Sequence, residues 1–142
     1  MPDRPQTTQH AMTRAGPGRL GKNDRAVLDL LNDADAPMRA YEILDALRPQ
    51  GVRAPPQVYR ALNRLVADGR VHRIDSLNAF IACDHPGHPE IPIFLICRTC
   101  GVVRERHDPP LVAEMVRRCG SDTGFRVEEG VLEMRGLCQV CR

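Results

Sequence analysis

The sequence has no tryptophan, and two tyrosines with three phenylalanines bring its aromatic share to only 4%, so any core must be aliphatic. A base-stacking surface of the kind that grips single-stranded nucleic acid is excluded on the same ground. Lysine is almost missing: Lys22 stands alone against 19 arginines. No apolar run approaches the ~20 residues that span a bilayer, and the polar stretch from Met1 to Asn23 lacks the apolar segment of a secretory signal. A cytoplasmic chain without a membrane partner is expected. A charge excess is also missing, because the formal net charge is +2 with 27% charged residues. That balance excludes both disorder by charge and a general polybasic binding mode. A length of 142 residues leaves one ordinary domain or two small ones, and no large enzyme scaffold.

What is present falls into two halves. Residues 1–22 carry no apolar periodicity and are expected to form a mobile N-terminal tail. Asn23 or Asp24 then caps a helix with Val27, Leu28, Leu30 and Leu31 on its inner face, ending around Asp33 to Pro37. A second helix covers Ala40 to Leu47 and stops at Pro49-Gln50-Gly51. A third starts at Pro55-Pro56, turns Val58, Leu62, Leu65 and Val66 inward, and ends at Asp68-Gly69. Strands Val71 to Ile74 and Ala79 to Cys83 read as a hairpin. Three helices followed by a hairpin is the order of a winged helix-turn-helix, although a plain three-helix bundle with a hairpin has the same pattern.

Three prolines between Asp84 and Pro92 break regular structure there. The expected organisation is therefore a 23–83 winged-helix DNA-binding domain, an 84–92 hinge and a 93–142 second domain. In the second domain, strands Ile93–Ile96 and Val102–Arg106 flank a turn. A helix from Pro110 to about Arg118 follows, with Leu111, Met115 and Val112 or Val116 inward, and then strands Phe125–Val127 and Val131–Met134. The fold class is α+β.

Six cysteines in a cytosolic chain read as ligands or thiols rather than a disulfide framework. Cys97-x-x-Cys100 and Cys138-x-x-Cys141 are two CxxC pairs, a pattern that suits one closed tetrahedral zinc. The alternatives are redox motifs or disulfides. A closed four-cysteine site leaves no position for substrate, so the zinc is structural. A second set of ligand types gathers around the hinge: His72, Cys83, His85, His88, Glu105 and His107. A mixed S/N/O set drawn from these suits zinc, whereas an all-N/O set suits iron or manganese better. Metal held there would tie one domain to the other. Cys119 reads as core and His107 as facing solvent. No His-x-x-x-His helix with a general-base Glu is present, which disfavours a zinc hydrolase, and no small-molecule substrate is expected.

On a helix that starts at Pro56, Gln57 and Arg60 point outward and are suited to base edges in a major groove. Tyr59 is placed for a thymine methyl or a phosphate. Arg39, Tyr41, Arg64 and Arg73 lie where phosphate contacts would fall. Charge agrees, since residues 1–80 carry a net +3 and residues 81–142 a net −1.

Several strings carry a recognisable likeness: Ala40-Tyr41-Glu42-Ile43-Leu44, Pro55-Pro56-Gln57-Val58-Tyr59-Arg60-Ala61-Leu62, Gly69-Arg70-Val71-His72-Arg73-Ile74, Phe94-Leu95-Ile96-Cys97-Arg98-Thr99-Cys100-Gly101 and Gly136-Leu137-Cys138-Gln139-Val140-Cys141. From about Leu20 onward the chain resembles the ferric uptake regulator superfamily, most of all its zinc uptake regulator branch. The resemblance implies a homodimeric transcription repressor, with a winged helix on palindromic double-stranded operator DNA and a C-terminal α/β dimerisation domain. It also implies one structural and one regulatory Zn2+ per subunit. By position it makes Cys97, Cys100, Cys138 and Cys141 the structural site. His72, Cys83 and Glu105 become regulatory ligands, with His88 favoured as the fourth and His85 as its alternative. It supports Tyr41 and Arg60 as DNA contacts and adds Arg19 near the minor groove. The chain departs from the family at Leu20-Gly21-Lys22-Asn23-Asp24, where a Leu-Thr-Pro-Gln-Arg lead-in is usual, and it lacks the His-rich tract of iron sensors. The absence of that tract favours zinc over iron, and the alternative, an iron, manganese or peroxide sensor of the same superfamily, implies His and Asp ligands without Cys83.

Overall fold

A computed structural model describes residues 18–87 and 90–142. Its first half is three helices, α1 (Lys22–Asp33), α2 (Ala40–Leu47) and α3 (Pro55–Ala67), followed by the antiparallel hairpin β1 (Val71–Ile74) and β2 (Ala79–Ala82). Each helix puts its apolar stripe into one aliphatic core, where Val27, Ile43, Leu47, Ala61, Leu62 and Leu65 are fully buried. Between α2 and α3 the chain makes one 3-10 turn, Arg48–Gln50, and leaves it through Gly51 at φ +92°, a left-handed conformation that costs an L side chain energy but glycine little. The hairpin is a wing docked onto the helices. Phe80 exchanges two backbone hydrogen bonds with Met38, in the link between α1 and α2, at 2.9 and 2.8 Å.

Local chemistry sets the helix starts. The Glu42 carboxylate accepts the Arg39 N–H at 2.6 Å. Gln57 Oε1 accepts the N–H groups of Arg53 and Ala54 at 2.9 and 3.0 Å, while Pro55 and Pro56 occupy positions whose N–H groups would have no partner. At α1 the structure corrects the sequence expectation. The N-cap is Gly21, so Lys22 belongs to the helix rather than to the tail. Asp24, read as a cap, lies inside the first turn and is buried, with both carboxylate oxygens bonded to Arg64 of α3 at 2.6–3.1 Å. A carboxylate so removed from water needs that charge-assisted pairing. The bond staples α1 to α3 across 40 residues of sequence. Val66 is also corrected: it is 40% exposed, and Ala61 occupies the core.

The second half is built on a three-stranded sheet of order β4-β3-β5, made by β3 (Ile93–Cys97), β4 (Val103–Arg106) and β5 (Leu132–Gly136). β3 pairs antiparallel with β4 and parallel with β5, and α4 (Pro109–Thr123) provides the crossover that a parallel pair requires. Asp108 caps α4, accepting the Leu111 N–H at 3.2 Å. The helix runs to Thr123, beyond the expected Arg118, and ends at Gly124 with φ +70°. Its buried residue is Val112, and Leu111 is 49% exposed. Cys119, expected in the core, is exposed. No strand forms at Phe125–Val127, which lies in the irregular stretch between α4 and β5.

Among the described residues no helix is long and apolar enough to cross a membrane. Residues 1–17 and His88 with Pro89 lie outside the described residues, so the expected tail up to Pro17 and the expected ligand His88 lie there too.

Candidate metal centres and nucleic-acid face

The β3·β5 register sets Cys97 opposite Gly136, and Arg98 N–H bonds the Gly136 carbonyl at 2.9 Å. Cys138 follows two residues later and comes back over the end of β3. Each CxxC pair then closes on itself. The Gly101 N–H returns to the Cys97 carbonyl at 3.0 Å, with Gly101 at φ +75°, and the Cys141 N–H returns to the Cys138 carbonyl at 3.0 Å. All four sulfurs lie within 4.8 Å of one another, and those of Cys100 and Cys138 are 3.7 Å apart. Four thiolates at about 2.3 Å from a tetrahedral zinc are about 3.8 Å apart, so the cage has the right size and donor set.

Electrostatics favour ionised sulfur at Cys97 and Cys138. Backbone N–H groups of Cys100 and Cys138 hold the Cys97 thiol down at about 6, and the Cys138 N–H approaches its sulfur at 3.4 Å. Cys141 is pushed up to about 12 because it donates towards Cys138 and Cys100.

The second cluster joins the wing to the sheet. His72 on β1, Cys83 just past β2 and Glu105 on β4 bring their ligand atoms within 4.8 Å of one another. Glu105 is the centre. Its side chain is 1% exposed, with Oε1 3.0 Å from His72 Nε2, 3.2 Å from His107 Nε2 and 3.6 Å from Cys83 Sγ, while Oε2 accepts the Asp84 N–H at 3.2 Å. Burial alone would raise this carboxyl, but the His72 hydrogen bond, the Asp84 N–H and the His107 imidazole outweigh it and bring it down to about 2. Burial, with the Glu105 and Asp84 carboxylates nearby, pushes the Cys83 thiol up to about 11 against the His85 backbone N–H. The His72 ring leans edge-on against Phe94, with centroids 5.4 Å apart, so the second sheet's one fully buried aromatic fixes its pose.

His107 corrects the sequence expectation of a solvent-facing side chain. Only 19% exposed, it faces Glu105 with one nitrogen, while the other lies 4.0 Å from Glu90. The signal was available in the two-residue spacing, which puts Glu105 and His107 on the same side of an extended strand. His85 lies with its ring edge-on to His107 at 5.0 Å and is not part of the close three-residue set.

Of the side chains expected to face DNA, Tyr41 and Tyr59 are 58% and 51% exposed, and Arg60, Arg39 and Arg19 are exposed to solvent. Two residues expected on this face have other partners. Gln57 uses its carbonyl oxygen to cap α3. Arg64 uses Nε and Nη2 to hold Asp24, with its side chain still 55% exposed. Arg73 lies 3.2 Å from Asp75 and 3.3 Å from the Asn78 carbonyl oxygen.

No family model matches the chain. It is 35% identical over 127 residues to the zinc uptake regulation protein of Escherichia coli (strain K12), an alignment covering 87% of this chain and 72% of that one. Among solved structures it is similar to holo XcZur, with 41% identity, a TM-score of 0.78, and 86% and 85% of the two chains covered. It is also similar to a zinc uptake regulator complexed with zinc and DNA, with 34% identity, a TM-score of 0.79, and 86% and 82% covered. Ferric uptake regulators such as that of Francisella tularensis share the fold at 20% identity. Two CxxC pairs closing one cage, a thiol, imidazole and carboxylate joining wing to sheet, and these relatives agree: the chain belongs to the ferric uptake regulator superfamily, in its zinc uptake regulator branch.

Proposed function

We propose that this protein is a zinc-responsive transcriptional repressor of zinc-uptake genes, binding a palindromic operator as a homodimer in the cytoplasm. The observation that carries the proposal is the meeting of His72, Cys83 and Glu105 where the wing abuts the sheet. A bound Zn2+ would supply the charge that draws these donors to one point, with His88 or His85 as the fourth. In this reading residues 23–83 read DNA, residues 84–92 are the hinge and residues 93–142 dimerise around a structural zinc held by Cys97, Cys100, Cys138 and Cys141. Leu95 and Met134, neighbours in register and 41% and 49% exposed, together with Leu137 and Val140 leave an apolar face suited to a second copy. Tyr41, Tyr59, Arg60, Arg39 and Arg19 would meet DNA, and Arg60 is best placed for base edges.

The coupling is a population shift. A wing fastened to the sheet holds α3 in one orientation, and the dimer presents two such helices about one DNA turn apart. Allosteric coupling of ordinary size, about 1–3 kcal/mol, changes operator affinity by roughly 5- to 150-fold.

Fluorescence anisotropy with promoter DNA from a zinc-uptake operon, at controlled free zinc, iron(II) or manganese, tests the reading. Affinity should rise with zinc alone. Arg60→Ala should keep its zinc and lose roughly 5- to 150-fold in operator affinity, the equivalent of about 1–3 kcal/mol for a base-reading side chain. One observation favours a second reading: His72 and His107 both approach Glu105, giving two imidazoles and a carboxylate, a set suited to iron(II). A response to iron or manganese equal to that of zinc would select it.

A further inference from the structure

The sheet meets the wing at two places. On β3, Phe94 has Glu105 of β4 as its partner on one side and Glu133 of β5 on the other, so the three residues form one row across the sheet and share a face. Glu105 reaches the base of the hairpin, where His72 and Cys83 are. Glu133 reaches its turn. Glu133 Oε1 accepts the Asp75 N–H at 2.7 Å and Oε2 accepts the Ser76 N–H at 3.1 Å, contacts between residues 58 and 57 positions apart in sequence. The carboxylate thus takes two consecutive N–H groups at the start of a 3-10 turn, donors that no strand ladder could satisfy. Apolar packing lies between the two anchors. Ile74 of β1 is fully buried in one cluster with Phe94, Ile96 and Val103, and Leu77 and Ile81 pack against it.

Two anchors fix an orientation where one would allow a pivot. We propose that Glu133 is the positioning residue that holds the wing turn to the second sheet, so that closure at His72, Cys83 and Glu105 is passed to the DNA-reading helices as a fixed wing orientation rather than lost as rotation about the metal site. The inference rests on the zinc-responsive reading above and adds to it the residue that transmits the response. Glu133 is outside both ligand sets, so its removal leaves every proposed metal donor in place.

The test uses the full chain as wild type, Glu133→Ala and Glu133→Gln, measuring operator affinity by anisotropy with and without zinc and sensing-site zinc affinity by chelator competition. Glu133→Ala should bind zinc as the wild type does and lose roughly 2- to 30-fold of the zinc-dependent gain in operator affinity, the size of effect seen for residues on a coupling route. Glu133→Gln keeps one carbonyl acceptor and should recover part of that gain. Hydrogen exchange at Asp75 and Ser76 should quicken in the alanine variant. A full zinc-dependent gain in Glu133→Ala overturns the inference, as does an equal loss of operator affinity with and without zinc, which would mark a purely structural role. A wild type indifferent to zinc overturns instead the reading on which the inference rests.

Discussion

Cys97→Ser will lose the structural metal and the order of the second sheet together. The reason is how little apolar material this half has of its own. From Ile93 to Arg142 the buried hydrophobic residues are Ile93, Phe94, Ile96, Cys97, Val103 and Val112, too few to support an independent domain. A structural zinc in a small peptide contributes about 10–16 kcal/mol at neutral pH, comparable with the whole stability of a domain. The four-cysteine cage also secures β5, whose parallel partner β3 is far away in sequence. Metal analysis with amide hydrogen exchange should show one zinc fewer per subunit and lost protection over β3 and β5, while α1 to α3 keep theirs. Cys138→Ser should match it. A variant lacking that zinc but melting like the wild type would show that the cage does not support the fold.

Cys83→Ser should have the opposite character, keeping fold and structural zinc while losing the response of operator affinity to zinc, roughly 5- to 150-fold in the wild type. Its pH dependence gives a second readout. With the Cys83 thiol near 11, the metal-free site holds a proton on sulfur at neutral pH, and Glu105 near 2 holds none. Binding must expel the thiol proton, so this residue makes zinc affinity fall about tenfold for each pH unit lost between pH 8 and 6. Competition titrations across that range should show the serine variant less steep by one proton. Equal slopes would remove Cys83 from the ligand set.

Much of this was written locally in the chain. The ends of α2 and the turn after it follow from Glu42, Pro49 and Gly51, and both CxxC pairs announce their site by spacing alone. Other features depend on contacts that no local pattern contains. Asp24 looked like a cap until Arg64, 40 residues on, came to meet it. On α4 the periodicity places Leu111 inward with Val112 or Val116, yet Val112 is the buried one and Leu111 is 49% exposed. The Glu133 contact with the wing turn was likewise invisible, because neither partner has a distinctive neighbourhood in sequence.

The placement of the two tyrosines has a practical consequence. With no tryptophan in the chain, Tyr41 and Tyr59 account for its intrinsic ultraviolet emission, and both stand exposed on α2 and α3, with none in the second sheet. The molecule therefore carries its own optical probe on the face proposed to meet DNA, distant in the fold from the four-cysteine cage. Light emitted by unlabelled protein reports on the reading helices alone. Any change in that emission on adding metal, before DNA is present, measures how far a signal from the hinge has travelled.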